Sequence, residues 1–205
     1  MKKTKIDWCD YSWNPVIGCQ KNCYYCYAKS WAKRFGRSFE PHWSESQYKK
    51  PYKIKKPSKI FVCSLADLFG DWIPNEWIEK VLRVVKDNPQ HTFQFLTKNP
   101  KRYLKVEFPK NCWLGVTIDG TENKTIAQNK INILNKKNNY KFISVEPLLG
   151  DIKNISLNGV DQVIVGAMTG GHKIAPKKEW IGNIKHPNIF YKKNIKKYLQ
   201  QTSIN

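Results

Sequence analysis

Short apolar runs recur along the chain, with turns or helical patterns between them. The runs that predict strands are 59–64, 91–97, 113–118, 141–145, 162–166 and 188–191, each rich in β-branched or aromatic residues. Two stretches, 75–87 and 121–136, have apolar residues at helical spacing, and Pro74 directly precedes the first. The pattern therefore predicts strands that alternate with helices or other crossovers.

Alternation of this kind indicates parallel strands in an α/β fold, and nearly continuous apolar runs are typical of strands covered on both faces. A further segment near Cys19 brings the count to about seven strands. A complete eight-fold barrel takes about 250 residues. A chain of 205 residues therefore predicts a partial (β/α) barrel of six to seven parallel strands, in one domain over 1–205. A doubly wound open sheet is the alternative.

In either fold, ligands bind at the carboxyl ends of the strands. Polar side chains that close the apolar runs are therefore candidate site residues by position. They are Ser64, Asp67, Thr97, Lys98, Thr117, Asp119, Glu146, Lys192 and Lys193. Each also has a structural explanation, since Asp67 could cap a helix, Asp119 could shape a turn and Lys98 could be solvated.

Composition and charge narrow the class of protein. With 40% hydrophobic and 13% aromatic residues the chain is too apolar for disorder. No apolar run is long enough to span a membrane, and the N-terminal lysines precede no signal-like stretch, so we expect a cytoplasmic protein. Lys and Arg number 36 against 16 Asp and Glu, a net charge of +20. A nucleic acid is the default partner for such an excess, although lysine enrichment from an AT-rich genome explains it equally.

Two basic runs carry much of this charge. Lys49–Lys59 holds six lysines and no acid, and Lys177–Lys197 holds seven lysines and one acid. Aromatic residues lie in or near both runs: Trp43, Tyr48, Tyr52, Trp180 and Tyr191. Cations interleaved with aromatics are typical of surfaces that bind single strands or flipped bases. The alternative is that both basic runs form solvated surface and that their aromatic side chains pack into the core.

Three of the six cysteines, Cys19, Cys23 and Cys26, form a C-x3-C-x2-C motif. Three thiolates on one loop can bind three corners of an iron–sulfur cube and leave the fourth iron open. The alternative is a zinc site with Cys9 or His42 as the fourth ligand. Structural zinc sites usually combine two closely spaced pairs of ligands, such as two C-x2-C segments, and the sequence shows no second pair. A disulfide within the motif is less favoured, because no export signal accompanies it.

The motif also resembles that of radical S-adenosylmethionine enzymes, in which aromatic residues often flank the last cysteine as Tyr25 and Tyr27 do here. Over nearly its whole length the chain resembles the phage- and prokaryote-associated three-cysteine-motif proteins, a radical-SAM-like family with a domain of unknown function. The matching stretches are 6–8, 13–16, 18–28, 64–69, 89–98, 113–116, 144–150 and 163–166.

The resemblance implies a partial barrel, a [4Fe–4S] cluster held by the three cysteines, and S-adenosylmethionine as cofactor. Similarity in motif and compactness to spore photoproduct lyase suggests DNA by analogy. Two stretches depart from the family pattern. Met168, within 165–171, replaces a common glutamate, and 191–194 replaces a usual Phe-Lys-Gln-Trp ending.

On this hypothesis the protein is an enzyme in which a reduced cluster cleaves the cofactor to a 5′-deoxyadenosyl radical, with flavodoxin or ferredoxin as reductant. Nucleic acid or a nucleotide is the expected substrate, and a peptide or small metabolite is the alternative. A zinc-binding, non-catalytic nucleic-acid module is the third possibility. The expected cofactor-binding residues are Tyr25, Ser64, Asp67, Thr97, Lys98, Thr117 and Glu146, with Asp67 and Glu146 foremost. Cys63 is a candidate hydrogen-atom donor if it faces inward with Phe61, or else a small buried apolar residue.

Overall fold

A seven-stranded parallel sheet forms the frame of the molecule in a computed structural model that describes residues 1, 3–169 and 173–199. Its strands, in spatial order, are β1 (Tyr11–Trp13), β4 (Lys59–Val62), β5 (Thr92–Thr97), β6 (Cys112–Thr117), β7 (Tyr140–Val145), β8 (Gln162–Val165) and β9 (Ile189–Tyr191). The spatial order follows the chain order without reversal, which is the topology of a barrel. The predicted partial (β/α) barrel is confirmed, and the doubly wound sheet is excluded because it needs a reversal of strand order.

One predicted strand was wrong. The segment near Cys19 contributes β2 (Val16–Ile17), which pairs antiparallel with β3 (His42–Trp43) in a separate two-stranded sheet. The seventh strand of the main sheet is β1, which runs parallel to β4 with Ser12 opposite Phe61. Because β1 and β2 are separated only by Asn14 and Pro15, the chain leaves the barrel there and enters the cysteine loop.

Six α-helices lie in the described part of the chain: α1 (Tyr27–Arg34), α2 (Glu45–Tyr48), α3 (Asn75–Asp87), α4 (Lys124–Leu134), α5 (Lys178–Gly182) and α6 (Lys193–Leu199). The predicted bounds of α3 are confirmed. The second predicted helix is shorter than expected, because Asn123 caps α4 by accepting a hydrogen bond from the Thr125 amide at 2.8 Å.

Side chains on the sheet alternate between two apolar clusters. On the helix side, Phe93, Phe95, Leu114 and Val116 pack with the buried face of α3 and α4. On the inner side, Trp8, Phe61, Phe142 and Ile164 form a smaller cluster. Trp8 belongs to the N-terminal segment, and its ring lies 4.6 Å from Phe61 and 5.9 Å from Phe142, centroid to centroid. The N-terminal segment therefore fills the inside of the curved sheet.

Gly115 on β6 tests how tightly this inner cluster is packed. A Cβ at this position would lie 2.4 Å from the Phe142 ring, and Phe142 is fully buried. We expect Gly115→Ala to lower the free energy of unfolding by about 1–3 kcal/mol, because an added methyl group in a filled core forces neighbouring side chains and backbone into strained positions. Chemical denaturation measures the change. Gly182→Ala is the control, because a Cβ there meets nothing within 4 Å, and an equal loss in the two variants would contradict this account of the packing.

Candidate functional site

The cysteine loop connects β2 to α1 and is attached at both ends. Gly18 has φ +94°, and a Cβ there would lie 2.3 Å from the Glu40 carbonyl oxygen, so only glycine fits. The Cys19 amide donates to the Phe39 carbonyl at 3.1 Å. At the other end, the Cys26 sulfur caps α1 by accepting from the Lys29 amide at 3.4 Å. The backbone thus presents all three cysteines from a short, anchored segment.

The three motif thiols are free and half-buried. Burial raises the pKa of Cys19, as does the nearby Cys26 sulfur, while hydrogen bonds from the Lys21 and Asp67 backbone amides lower it. Cys19 therefore lies next to both Cys26 and the loop that carries Asp67. No group of three or more His, Cys, Asp or Glu in the described residues is arranged to hold one metal ion.

The donor set nevertheless fits a cluster. Four thiolates bound to one zinc ion must converge to Zn–S distances of about 2.3 Å, whereas an iron–sulfur cube holds each thiolate on a different iron, so its ligands stand farther apart. Three unpaired thiols on one anchored loop can supply one sulfur to each of three irons. His42, the possible fourth zinc ligand, is exposed, and its Nδ1 contacts the Glu40 carbonyl oxygen at 2.9 Å.

Tyr25 connects the cysteine loop to the carboxyl edge of the sheet. Its hydroxyl donates to Asp119 and accepts from the Lys98 ammonium group, and Lys98 Nζ also forms an ion pair with Asp119 Oδ2 at 2.7 Å. Burial and the bond to Asp119 raise the pKa of Tyr25 well above its ordinary value. Burial alone would raise the pKa of Asp119, but hydrogen bonds from Lys98, Thr121 and Tyr25 outweigh it and hold that pKa well below the usual range.

Removal of the Lys98 charge tests this contact. We expect Lys98→Met to lower the free energy of unfolding at pH 7 by about 2 kcal/mol, because Asp119, with 6% of its side chain exposed, loses its counterion. The depressed pKa gives a stabilising contribution that is complete above about pH 5 and is lost as the pH falls through the folded-state value. The variant should therefore lose less stability on acidification than the parent. Denaturation at pH 7 and pH 3 measures both effects, and Lys101→Met, on an exposed residue, is the control.

Ser64 belongs to a hydrogen-bonded network at the neighbouring strand ends. Its hydroxyl lies 2.6 Å from that of Ser12 and donates to Asn14 Oδ1 at 3.1 Å. Asn14 Oδ1 also accepts from the Leu65 amide at 3.1 Å, and the Tyr27 hydroxyl donates to the Ser64 carbonyl. The network joins β1, β4 and α1 at one point of the edge.

Asp67 is the one candidate carboxylate that forms no ion pair with the described residues, although the charge of Lys21 lowers its pKa. Its Oδ1 accepts from the Thr97 hydroxyl at 2.7 Å and the Phe69 amide at 3.1 Å, and its Oδ2 accepts from the Lys98 amide at 2.9 Å. Burial raises the pKa of Asp67, and these three hydrogen bonds lower it only in part. A half-buried carboxylate with a free acceptor position on Oδ2 is suited to a cationic ligand.

Glu146, the other foremost candidate, already has a cation. Lys192 Nζ lies 2.6 Å from its Oε1, while Trp8 Nε1 and the Ser144 hydroxyl donate to Oε2 at 3.1 and 3.2 Å. Gly166 supports the pair, since a Cβ there would lie 2.5 Å from Glu146 Oε1. Of the two carboxylates, Asp67 therefore has the stronger need for a bound cation.

The remaining predicted residues are placed as follows. Thr97 orients Asp67, and Thr117 is buried at the end of β6. Cys63 follows β4 with φ +59° and packs in the helix-side cluster, whereas Phe61 packs in the inner cluster. Cys63 and Phe61 thus pack in different clusters, burial raises the pKa of Cys63 to about 12, and the hydrogen-donor role of Cys63 stays a prediction. The Lys193 backbone amide donates to Asp7 at 2.8 Å.

Sequence reasoning missed several residues of the inner face. Trp8 and Ser12 contact predicted site residues, and Asn14 links Ser12 to Ser64. Gln94 lies on β5 opposite Phe61 and Trp113 and is 1% exposed, yet its Oε1 has no hydrogen-bond donor in the described part of the protein. Alternation along β5 places Gln94 on the same face as Lys98, which is a signal that the sequence does contain.

A family model described as "Protein of unknown function (DUF5131)" matches residues 3–201. The chain belongs to this family. No curated protein matches the sequence. The phage link of the resembled proteins stays a prediction.

Solved structures of spore photoproduct lyase are similar to this DUF5131 protein in fold. The lyase complexed with dinucleoside spore photoproduct has a TM-score of 0.56 at 12% identity, over 74% of this chain and 54% of that one. A cysteine-to-serine mutant of the lyase gives 0.59 at 12% identity, over 82% and 58%. A cysteine-to-alanine mutant with the dinucleoside photoproduct gives 0.54 at 11% identity, over 93% and 60%. The chain thus spans little more than half the length of these neighbours, and the likeness concerns the fold.

The departures from the resembled pattern are partly visible in the DUF5131 protein. Asn194, in place of a usual tryptophan, donates to the Ala167 carbonyl at 2.7 Å and accepts from its amide at 3.2 Å. These two hydrogen bonds connect the segment that follows β8 to α6. Gly170 and Gly171 lie outside the described residues. Among the helices that the structure describes, none has the length and apolar character that crossing a membrane requires.

Proposed function

We propose that this protein is a radical S-adenosylmethionine enzyme that acts on nucleic acid or a nucleotide. The observation that carries the proposal is a juxtaposition at the carboxyl edge of a parallel partial barrel. A loop with three free thiols is bound there by Tyr25 to Lys98 and Asp119, and Cys19 lies beside the loop of Asp67, a half-buried carboxylate without an ion pair among the described residues.

Cys19, Cys23 and Cys26 would hold the [4Fe–4S] cluster, and three ligands leave one iron free for the cofactor. A bound cluster would supply one-electron reduction of the sulfonium of S-adenosylmethionine, with the electron taken from the proposed reductant and methionine released as the carbon–sulfur bond breaks. The protein's own contribution is to bind, orient and exclude water.

Residues at the carboxyl edge of the sheet would each bind or orient a different part of the cofactor or the cysteine loop. Asp67 would accept hydrogen bonds from the cationic amino group of the cofactor, and Thr97 holds its Oδ1 in place. Ser64 and Thr117 offer hydroxyl groups to the ribose or carboxylate. Tyr25 and Lys98 position the cysteine loop against Asp119. Glu146, neutralised by Lys192, would contribute a dipole and a hydrogen-bond acceptor rather than a net charge.

A nucleic-acid substrate is supported by charge and by the fold neighbours. The net charge of +20 favours a polyanion. Two of the similar lyase structures contain a dinucleoside photoproduct. We propose a reducing compartment such as the cytoplasm, with a flavodoxin or ferredoxin as electron donor. A peptide or small-metabolite substrate remains the alternative within the same chemistry.

Anaerobic reconstitution with iron and sulfide, followed by addition of dithionite and S-adenosylmethionine, tests the proposal. The expected product is 5′-deoxyadenosine, measured by chromatography. Reconstituted protein that binds the cofactor yet forms no more product than a cluster-free sample would contradict the enzymatic assignment. A colourless protein with one tightly bound zinc would support the non-catalytic module instead.

A further inference from the structure

The outward face of α1 is unusual for a surface helix because it carries large aromatic residues. Trp31 is 42% exposed and Phe35 is 56% exposed, while the face that packs against the protein uses only Ala28 and Ala32. Helices normally bury their large apolar residues and expose the polar ones. A cluster of exposed aromatics therefore indicates a contact surface.

Cations surround these rings and have no acidic partners. Arg37 lies over the Trp31 ring at 5.1 Å and Arg34 over the Phe35 ring at 5.9 Å, while the two rings are 5.1 Å apart. No carboxylate of the described residues forms an ion pair with Lys33, Arg34 or Arg37. We call the exposed residues Trp31, Lys33, Arg34, Phe35 and Arg37 the α1 face.

General lysine enrichment does not explain the α1 face. The chain has only four arginines, and two of them, Arg34 and Arg37, lie here. Arginine stacks on flat rings and binds phosphate with two parallel hydrogen bonds, which lysine cannot do. No Asp or Glu occurs between Asp10 and Glu40, so no acid within this stretch repels an approaching phosphate.

The α1 face also leads to the candidate site. The helix begins directly after Cys26, the last cysteine of the motif, and Tyr27 in its first turn donates to the Ser64 carbonyl at the sheet edge. Tyr27, Trp31 and Phe35 are spaced by four residues and so follow one side of the helix away from that edge. A strand lying along this side would run toward the site.

We propose that the α1 face binds a single-stranded segment of nucleic acid, with bases stacked against Trp31 and Phe35 and phosphates bound by Lys33, Arg34 and Arg37. Alternating aromatic rings and cations are the requirements of such binding. An acidic protein would satisfy the charge but has no need of two flat, exposed rings flanked by guanidinium groups. The inference deepens the proposed function, since it assigns a surface that holds the substrate.

Binding of a fluorescein-labelled single-stranded oligonucleotide, about 12 nucleotides long and of mixed sequence, tests the inference by fluorescence anisotropy. The protein is reconstituted but receives no dithionite or S-adenosylmethionine. We expect the triple variant Lys33→Gln, Arg34→Gln, Arg37→Gln to bind at least 10-fold more weakly. Its log Kd against log salt should have a slope smaller by about 2, at roughly 0.7 per lost phosphate contact. Trp31→Ala should weaken binding about 5- to 100-fold with an unchanged salt slope.

A matched variant separates the α1 face from the overall charge. Lys105→Gln, Lys110→Gln, Lys136→Gln removes the same three charges from exposed positions outside both basic runs, and we expect a change of less than about 3-fold. Equal weakening by both triple variants, or normal binding by the α1 variants, would overturn the inference. Normal oligonucleotide binding combined with lost electron delivery from an acidic flavodoxin would assign the face to a protein partner and also overturn it. Cofactor cleavage with dithionite, measured separately, reports on the proposed function alone.

Discussion

Cys23→Ala is expected to abolish cluster binding and product formation together. The parent protein should hold about four iron and four sulfide per chain after reconstitution, the content of one cube. With two thiolates instead of three, the variant should retain less than about one iron and form 5′-deoxyadenosine at least 100-fold more slowly. Iron and sulfide analysis and chromatography measure the two effects, and Cys19→Ala and Cys26→Ala should behave alike.

Cys9→Ala is the matched control, and it also tests the zinc alternative. Cys9 is half-buried like the motif thiols but lies outside the C-x3-C-x2-C motif, and its thiol donates to the Ile6 carbonyl oxygen at 3.9 Å. We expect its replacement to leave iron content unchanged. Loss of metal in Cys9→Ala equal to the loss in Cys23→Ala would indicate a four-thiolate site and contradict the open iron.

Asp67→Asn is expected to weaken binding of S-adenosylmethionine about 100-fold or more while the fold is retained. The substitution removes the only candidate carboxylate that forms no ion pair with the described residues and replaces it with a neutral amide. Because the Asn side-chain NH2 group cannot accept the hydrogen bond that the Lys98 amide now donates to Oδ2, the free energy of unfolding should fall by about 1–3 kcal/mol. Equilibrium dialysis with the reconstituted protein and thermal unfolding measure the two quantities.

Asp71→Asn is the control for this prediction. Asp71 lies four residues further along the same loop, is exposed, and accepts one hydrogen bond from Asn99 at 2.8 Å. Its replacement should leave cofactor affinity within about 2-fold of the parent. If Asp67→Asn binds the cofactor normally, Asp67 is a structural residue that orders the end of β5, and the cofactor's amino group is held elsewhere.

Strands and helices with a long, regular apolar pattern were predictable from the sequence. The helix at Asn75–Asp87 and the strands from Lys59 to Tyr191 are of this kind. The strand Tyr11–Trp13 was not, because three residues are too few to show an alternation, and only Trp13 among them is fully buried. Its place in the sheet follows from pairing with a strand some 50 residues later, which local pattern does not contain.

The site was predictable in its positions but not in its pairings. Ligands bind at the carboxyl ends of parallel strands, and these ends lie at one edge of the sheet. That rule identified the candidate residues Asp67, Lys98, Asp119 and Glu146. Whether each carboxylate forms an ion pair depends on contacts between residues that lie far apart in the sequence. Lys98 neutralises Asp119 and Lys192 neutralises Glu146, while Asp67 receives only neutral donors. Those partners are set by the curvature of the sheet and the position of the cysteine loop.

The α1 face went unnoticed in the sequence for a different reason. The cysteine motif ends where the helix begins, and its aromatic residues are explained equally well as core. Only the exposure of Trp31 and Phe35 distinguishes a contact surface from a buried face.

Electron paramagnetic resonance of the reconstituted, dithionite-reduced protein tests the central claim most directly, because it examines the open iron itself. A cube with three cysteine ligands should give the signal of a reduced [4Fe–4S] cluster, and that signal should shift when S-adenosylmethionine is added, since on the proposed function the cofactor would bind the fourth iron. A cluster spectrum that the cofactor leaves unchanged, or a protein that binds only zinc and gives no signal, would contradict the account.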